Sequence, residues 1–267
     1  MLAEIRSLWI GGALSRLERV CLTSFLRAGH KVYLYTYDEV SNIPDGVEVL
    51  DANVILPKNK VFTYGSVTGK GKGSYAGFAN HFRYEMLLKC SNTYWVDMDV
   101  ICLSPFYIND ELDFGFENET YINNAVIGTK SAGNKLFSNL SKYCDNPFQF
   151  TRWDTFKFLI RKLIGRTWGR GDFSYLPWGI TGPKALTGFV KKGGLLNYAA
   201  SVQKYYPISS ADWKKIFFAS DEHINLDGAQ AVHLWNEQLR RDNLDKNTVF
   251  DKESLYERLI SDLKLDE

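Results

Sequence analysis

Residues 5–36 read IRSLWIGGALSRLERVCLTSFLRAGHKVYLYT, and their pattern decides the fold class. Residues 5–10 are a first strand, and Gly11-Gly12 ends it. Leu14, Leu17, Val20, Cys21, Ser24 and Phe25 then recur at helical spacing over 13–28, with Gly29 a natural C-terminal stop. Lys31 to Thr36 is a second strand, and Gly46 to Leu50 a third before Asp51. Strand, helix, strand predicts an α/β fold with a largely parallel sheet.

Further along, the glycine-rich stretch TYGSVTGKGKGSYAGF (63–78) precedes a helix from Phe78 to Cys90 and a strand from Thr93 to Asp97. Strands follow near 113–117 and 122–128, and helices near 133–144, 183–192 and 252–264. A short strand spans Ala229 to Leu234. No internal repeat or low-complexity linker interrupts the chain. Its 267 residues read as one domain, 1–267, with an elaborated C-terminal half.

Apolar residues make up 45% and charged residues 24%, an ordinary globular composition that can bury a core. A formal net charge of +1 argues against nucleic-acid binding through a broad basic field. Cys21, Cys90, Cys102 and Cys144 are scattered without a CxxC pair, which disfavours thiolate zinc and fits buried free thiols in a reducing cytosol. No run reaches the roughly 18 apolar residues of a membrane span. Leu8-Trp9-Ile10 is too short for a signal-peptide core.

The stretch YWVDMDV (94–100) carries the chemistry. Asp97 and Asp99 end an apolar strand and, by alternation, share a face. Two carboxylates held that close repel, so a positive group or a proton belongs beside them. Hard oxygen ligands at a strand's carboxyl end suit Mg²⁺ or Mn²⁺. Phosphatases that use the first aspartate as nucleophile share this tripeptide. They carry it on the first strand of the domain, whereas strand–helix–strand character precedes it here, and no later acidic pair follows an apolar strand.

LWIGGALSRLERVCLTSFLRAGHKVYLYTYDE (8–39) together with FANHFRYEMLLKCSNTYWVDMDVICLSPF (78–106) resembles the DXD-motif glycosyltransferases of family 32. The likeness runs over residues 5–128, with patches at WGITGPKALT (178–187) and AVHLWN (231–236). It implies a GT-A, Rossmann-like fold with a mixed, mostly parallel central sheet flanked by helices. Residues 1–128 would form the nucleotide-sugar-binding half and 129–267 the acceptor-binding half. It also implies a divalent metal and retention of anomeric configuration.

Carried over by residue, the resemblance makes Trp9, with Ile10 and Gly11, the platform for the donor base. Arg83 falls near the donor sugar and phosphates, and its planar fork suits a diphosphate. Asn80 stands where the family more often has Asp. It is three residues from Arg83 on one helix side, and the change bears on which sugar is taken. Asp97 matches the residue that holds ribose and sugar hydroxyls, Asp99 the direct metal ligand, and His233 an additional one. Trp235 matches an aromatic whose indole N–H meets the leaving diphosphate. Ser91-Asn92 replaces the family's Gly-Gly before the strand. Asn123 and Asn124 fall where polar residues face donor and acceptor sugars, or cap a turn. Trp178 and Thr181 are expected on an acceptor wall.

Two segments stay open. The glycine-rich loop is not a Walker A motif, because three residues separate Gly65 from Gly69-Lys70 and Gly71 replaces the Ser/Thr. It reads as a lid over the donor or as a surface loop. RWDTFKFLIRKLIGRTWGR (152–170) is basic and amphipathic. It fits a helix lying on anionic lipid, or one packed on the core with a solvated basic face. The expectation is a metal-dependent, retaining hexosyltransferase moving a sugar from a nucleotide-sugar, UDP by family frequency. Its acceptor would be a saccharide or lipid-linked saccharide in surface polysaccharide synthesis. The place expected is cytoplasmic, peripheral on the inner face of the plasma membrane. The competing readings are a non-catalytic nucleotide-sugar-binding module and, behind it, the Asp-nucleophile phosphatase.

Overall fold

The computed structural model describes residues 1–65, 71–219 and 224–265. The elements up to the middle of the chain are β1 (Glu4–Trp9), α1 (Arg16–Arg27), β2 (Val32–Thr36), β3 (Val47–Asp51), α2 (Ala76–Lys89), β4 (Thr93–Val96), β5 (Val100–Cys102), β6 (Leu112–Phe116), β7 (Ile122–Thr129) and α3 (Lys135–Asp145). The rest are α4 (Phe156–Thr167), α5 (Pro183–Gly193), β8 (Ala199–Ala200), α6 (Val202–Tyr205), α7 (Lys214–Phe217), β9 (Ala231–His233), α8 (Asn236–Arg241) and α9 (Leu255–Leu263).

Among the described residues the central sheet runs β3-β2-β1-β4-β7-β6-β8. The first three pairings are parallel, β7 runs antiparallel to both β4 and β6, and β8 lies parallel to β6. The α/β class, with a mixed, mostly parallel sheet flanked by helices, is the one predicted. Strand alternation splits the apolar side chains into two layers. Ile5, Leu34, Val96 and Val126 join the layer under α1 and α9. Leu8, Tyr35, Trp95 and Ile127 join the layer under α2, α3 and α5. With both faces covered, β7 is buried at every position.

This topology collects one working edge. The carboxyl ends of β1, β4 and β6 and the start of the antiparallel β7 all reach it. Beside it, β5 and β9 form a separate antiparallel ladder whose register sets His233 opposite Val100. That pairing brings a residue from the C-terminal region next to Asp99.

Two details differ from the sequence reading. β4 stops at Val96, and residues 97–99 turn into β5, so a turn rather than strand alternation brings the aspartates together. The turn is held by Asp97 N–H donating to Ala125 O at 2.8 Å and Leu234 N–H donating to Asp99 O at 2.7 Å. β5, β8 and the short helices α6, α7 and α8 were not anticipated, because each has six residues or fewer, too few to show a period. Residues 66–70, the centre of the glycine-rich loop, lie outside the described residues, and so does the lid reading. No helix among the described residues is long and apolar enough to cross a membrane.

Candidate active site

A cavity of about 460 Å³ opens at that sheet edge. On its wall Asp97, Asp99 and His233 each present a ligand atom, all within 4.8 Å of one another. Asp97 Oδ1 accepts from the Trp95 indole N–H at 2.7 Å and pairs with Arg83 Nη2 at 3.1 Å. Asp99 Oδ2 accepts from Asn236 N–H at 2.8 Å and lies 3.2 Å from His233 Nε2. The repulsion foreseen between the two carboxylates is therefore met by the Arg83 guanidinium beside Asp97 and the His233 imidazole beside Asp99.

Their protonation follows from the same contacts. Burial raises the Asp97 carboxyl above the usual range, Arg83 opposes this, and the Asp99 charge adds to the rise. Burial pushes Asp99 the same way, but the His233 charge and hydrogen bond and the Asn236 amide outweigh it and leave Asp99 below the usual range. Burial disfavours the His233 imidazolium, yet Asp99 beside it wins and raises His233.

The residues present fit a hard divalent cation. Two carboxylates and an imidazole are an oxygen–nitrogen donor set suited to Mn²⁺ or Mg²⁺. The other ring nitrogen, His233 Nδ1, is buried without a hydrogen-bond partner. An orphan of that kind is costly unless something ligates it.

Arg83 and the asparagines belong to one network. Arg83 donates to the Asn124 carbonyl, and its guanidinium lies 4.8 Å from the Trp95 ring centroid. Asn124 Nδ2 donates to Asn80 Oδ1 at 2.8 Å, and Asn80 Nδ2 donates to Thr181 Oγ1 at 3.1 Å. Gly182 makes room, since a Cβ there would sit 3.0 Å from Asn80 Nδ2. Asn80, Arg83, Asn123 and Asn124 all line the cavity. Thr181 does not: it is 1% exposed and buttresses Asn80 through its hydroxyl.

Trp9 and Ile10 line the cavity at the end of β1. Trp9 Nε1 is buried without a partner, and Lys246 Nζ stands 5.1 Å from the ring centroid. Gly11 lies against the indole, where a Cβ would fall 3.1 Å from Trp9 Nε1, so its contribution is close approach rather than a lining surface. Trp178 also lines the cavity, tilted on Tyr64 at 5.0 Å. Gly71, at φ +83°, passes so near that a Cβ would meet the Trp178 ring at 1.9 Å.

Trp235 lines the cavity as well, with its indole N–H turned into the fold. Its indole N–H donates to Ile208 O at 2.9 Å and is occupied by the fold. The residue takes a left-handed backbone, φ +57°, at the start of α8. That uncommon conformation for a bulky residue turns the chain so that Asn236 N–H meets Asp99.

Glu117 was missed. It follows β6, lines the cavity and accepts from Asn123 Nδ2 at 3.0 Å through Oε2. Burial raises its carboxyl above the ordinary value, against the His233 charge and the Asn123 hydrogen bond. The signal was present: LDFGFE ends an apolar strand in an acid, just as TYWVD does.

No protein-family description and no curated protein matches the sequence. Among solved structures the chain is similar to one described as "PaToxG Glycosyltransferase", at 11% identity and a TM-score of 0.44, over 98% of this chain and 84% of that one. It is also similar to a transferase bearing two cysteine-to-serine substitutions, at 11% identity and a TM-score of 0.36, over 61% of this chain and 85% of that one.

Proposed function

We propose that this protein is a metal-dependent glycosyltransferase taking its sugar from a nucleotide-sugar, of which a UDP-sugar is the first choice. The acceptor is a saccharide or lipid-linked saccharide. One observation carries the reading: the Asp97–Asp99 pair and His233, more than 130 residues further along the chain, converge in a cavity of about 460 Å³ beside Arg83. The sequence resemblance independently picks the same four residues.

Mn²⁺ or Mg²⁺ held by Asp97, Asp99 and His233 would neutralise diphosphate charge and act as a Lewis acid. Trp95 and Arg83 fix the Asp97 carboxylate, leaving its other oxygen for a cation or a sugar hydroxyl. Arg83, itself locked by Asn124 and Trp95, is a preorganised positive charge beside the departing diphosphate. Trp9 offers a flat face to the base. Asn80, Asn123 and Asn124 offer amides to sugar hydroxyls. Glu117 stands in the same cavity as a carboxylate outside the metal group, placed to hold or exchange a proton on the acceptor side. Retention of configuration rests on the resemblance alone.

The test is release of free nucleotide from a panel of UDP- and GDP-sugars with Mn²⁺. Slow release, abolished by chelator and by Asp99→Ala, is expected. Tight donor binding with no turnover under any acceptor would instead mark a binding module. Phosphate release from simple monoesters, lost in Asp97→Asn, would mark a phosphatase.

A further inference from the structure

α4 is inverted relative to an ordinary surface helix. Its buried positions are Lys162 and Gly165. Lys162 Nζ donates to Gln149 O and pairs with Asp154 Oδ2, both at 2.7 Å, with its side chain wholly out of water. Gly165 seats the helix so closely that a Cβ would lie 2.2 Å from the Phe148 ring. The opposite side carries Phe156, Ile160 and Leu163, an i, i+4, i+7 stripe. Phe156 is 78% exposed, Leu163 52% and Ile160 44%, and Trp168, just past the helix, is 83% exposed. A helix packed on the core with its charged face in water would show the reverse arrangement.

Basic residues surround this stripe without carboxylates to balance them. Arg152, Lys157, Arg166 and Arg170 are exposed and Arg161 is half-buried. Within 152–170 the single acid, Asp154, is spent on Lys162. Among the described residues none of these five cations makes an ion pair. Lys184 adds to the crowding: burial, then the Arg161 and Lys157 charges, push its ammonium below the usual value against the pull of Asp154. An apolar stripe flanked by unneutralised cations is complementary to one surface in particular, a bilayer of anionic phospholipid. The headgroups meet the arginines, and the acyl boundary takes the Phe, Ile, Leu and Trp side chains.

We propose that α4 and Trp168 form a membrane-docking face that binds anionic phospholipid bilayers from one side. The segment 168–178 leads directly from this face to Trp178 in the cavity wall. Ten residues span at most about 35 Å, so docking places the cavity within reach of the membrane surface. If the transferase reading holds, the acceptor class that suits this placement is a lipid-linked saccharide.

The experiment is cosedimentation of the full chain with vesicles of phosphatidylcholine alone and of phosphatidylcholine with phosphatidylglycerol. Binding only to the anionic vesicles, weakened by salt, is expected. Phe156→Ser with Leu163→Ser, and separately Lys157→Gln with Arg166→Gln, should each weaken it, the charge pair by roughly 30-fold. Unchanged melting temperatures of these surface variants separate lost docking from lost folding. Brominated lipid should quench tryptophan fluorescence in the native protein, and less in Trp168→Phe. No vesicle binding, or equal binding to neutral vesicles, overturns the proposal. So does a dimer that Phe156→Ser dissociates while vesicles are ignored, since a second copy then covers the face. Vesicle binding is read without donor or metal, so its failure and a failure of nucleotide release are separate results.

Discussion

Replacing Arg83 by Met should destabilise the protein and at the same time deepen its dependence on divalent cation. Arg83 is 4% exposed and is the cation paired with Asp97, 3.1 Å away. Met keeps much of the volume beside Trp95 but strands the Asp97 carboxylate next to Asp99. Asp97 keeps 29% of its side chain exposed, so losing its buried partner costs about 1–3 kcal/mol. With an unfolding entropy of about 2.1 cal/mol/K per residue, 267 residues correspond to ~0.56 kcal/mol/K. The melting temperature without metal should therefore fall by ~2–5 °C. Arg83→Met with Asp97→Asn removes both charges, and should recover about 0.5–3 kcal/mol of the loss. Mn²⁺ supplies the missing positive charge, so it should raise the melting temperature more in Arg83→Met than in the native protein. Thermal denaturation of the four proteins of this cycle, with and without Mn²⁺, measures all of this. An unchanged melting temperature in Arg83→Met, or a Mn²⁺ shift equal in the two proteins, would refute the reasoning.

Asp99→Ala and His233→Ala should each lower Mn²⁺-dependent nucleotide release by ~10²–10³-fold, measured with the best donor of the screen, and should abolish the Mn²⁺ effect on melting. Glu117→Gln should melt higher than the native protein near neutral pH. Burial raises the Glu117 carboxyl above its ordinary 4.5, so native stability at that site is complete at low pH and is lost as pH rises through the raised value. The melting difference should thus grow with pH, and a constant difference would contradict it. The same variant should lower sugar transfer to acceptor by ~10²–10⁴-fold if Glu117 handles a proton. Gly165→Ala, which in an exposed helix would stabilise by about 1 kcal/mol, should instead destabilise by about 1–3 kcal/mol, since its Cβ would overlap the Phe148 ring. Urea denaturation gives the sign.

Much of the scaffold was legible because it is written in local periodicity. The expected limits of α1, α5 and β7 fall within a few residues of those observed, since each buries a repeating apolar pattern long enough to recognise. The aspartate pair was legible because charge that ends an apolar strand has few harmless explanations. Glu117 obeyed the same rule and was passed over, hidden in the polar run ENET.

Sequence alone determined the order of the longer strands and helices, the α/β class and the acidic pair, all consequences of side-chain spacing along the backbone. Tertiary structure alone decided which distant residues share the cavity. The β5–β9 register delivers His233 to Asp99, and Arg83 reaches Asp97 from α2. It also decided which donors are already spent, as the Trp235 indole is on Ile208. Only the packed chain shows that α4 turns its lysine inward and its phenylalanine outward. Periodicity tells which residues lie on one helix face, but the direction of that face is set by what packs against it.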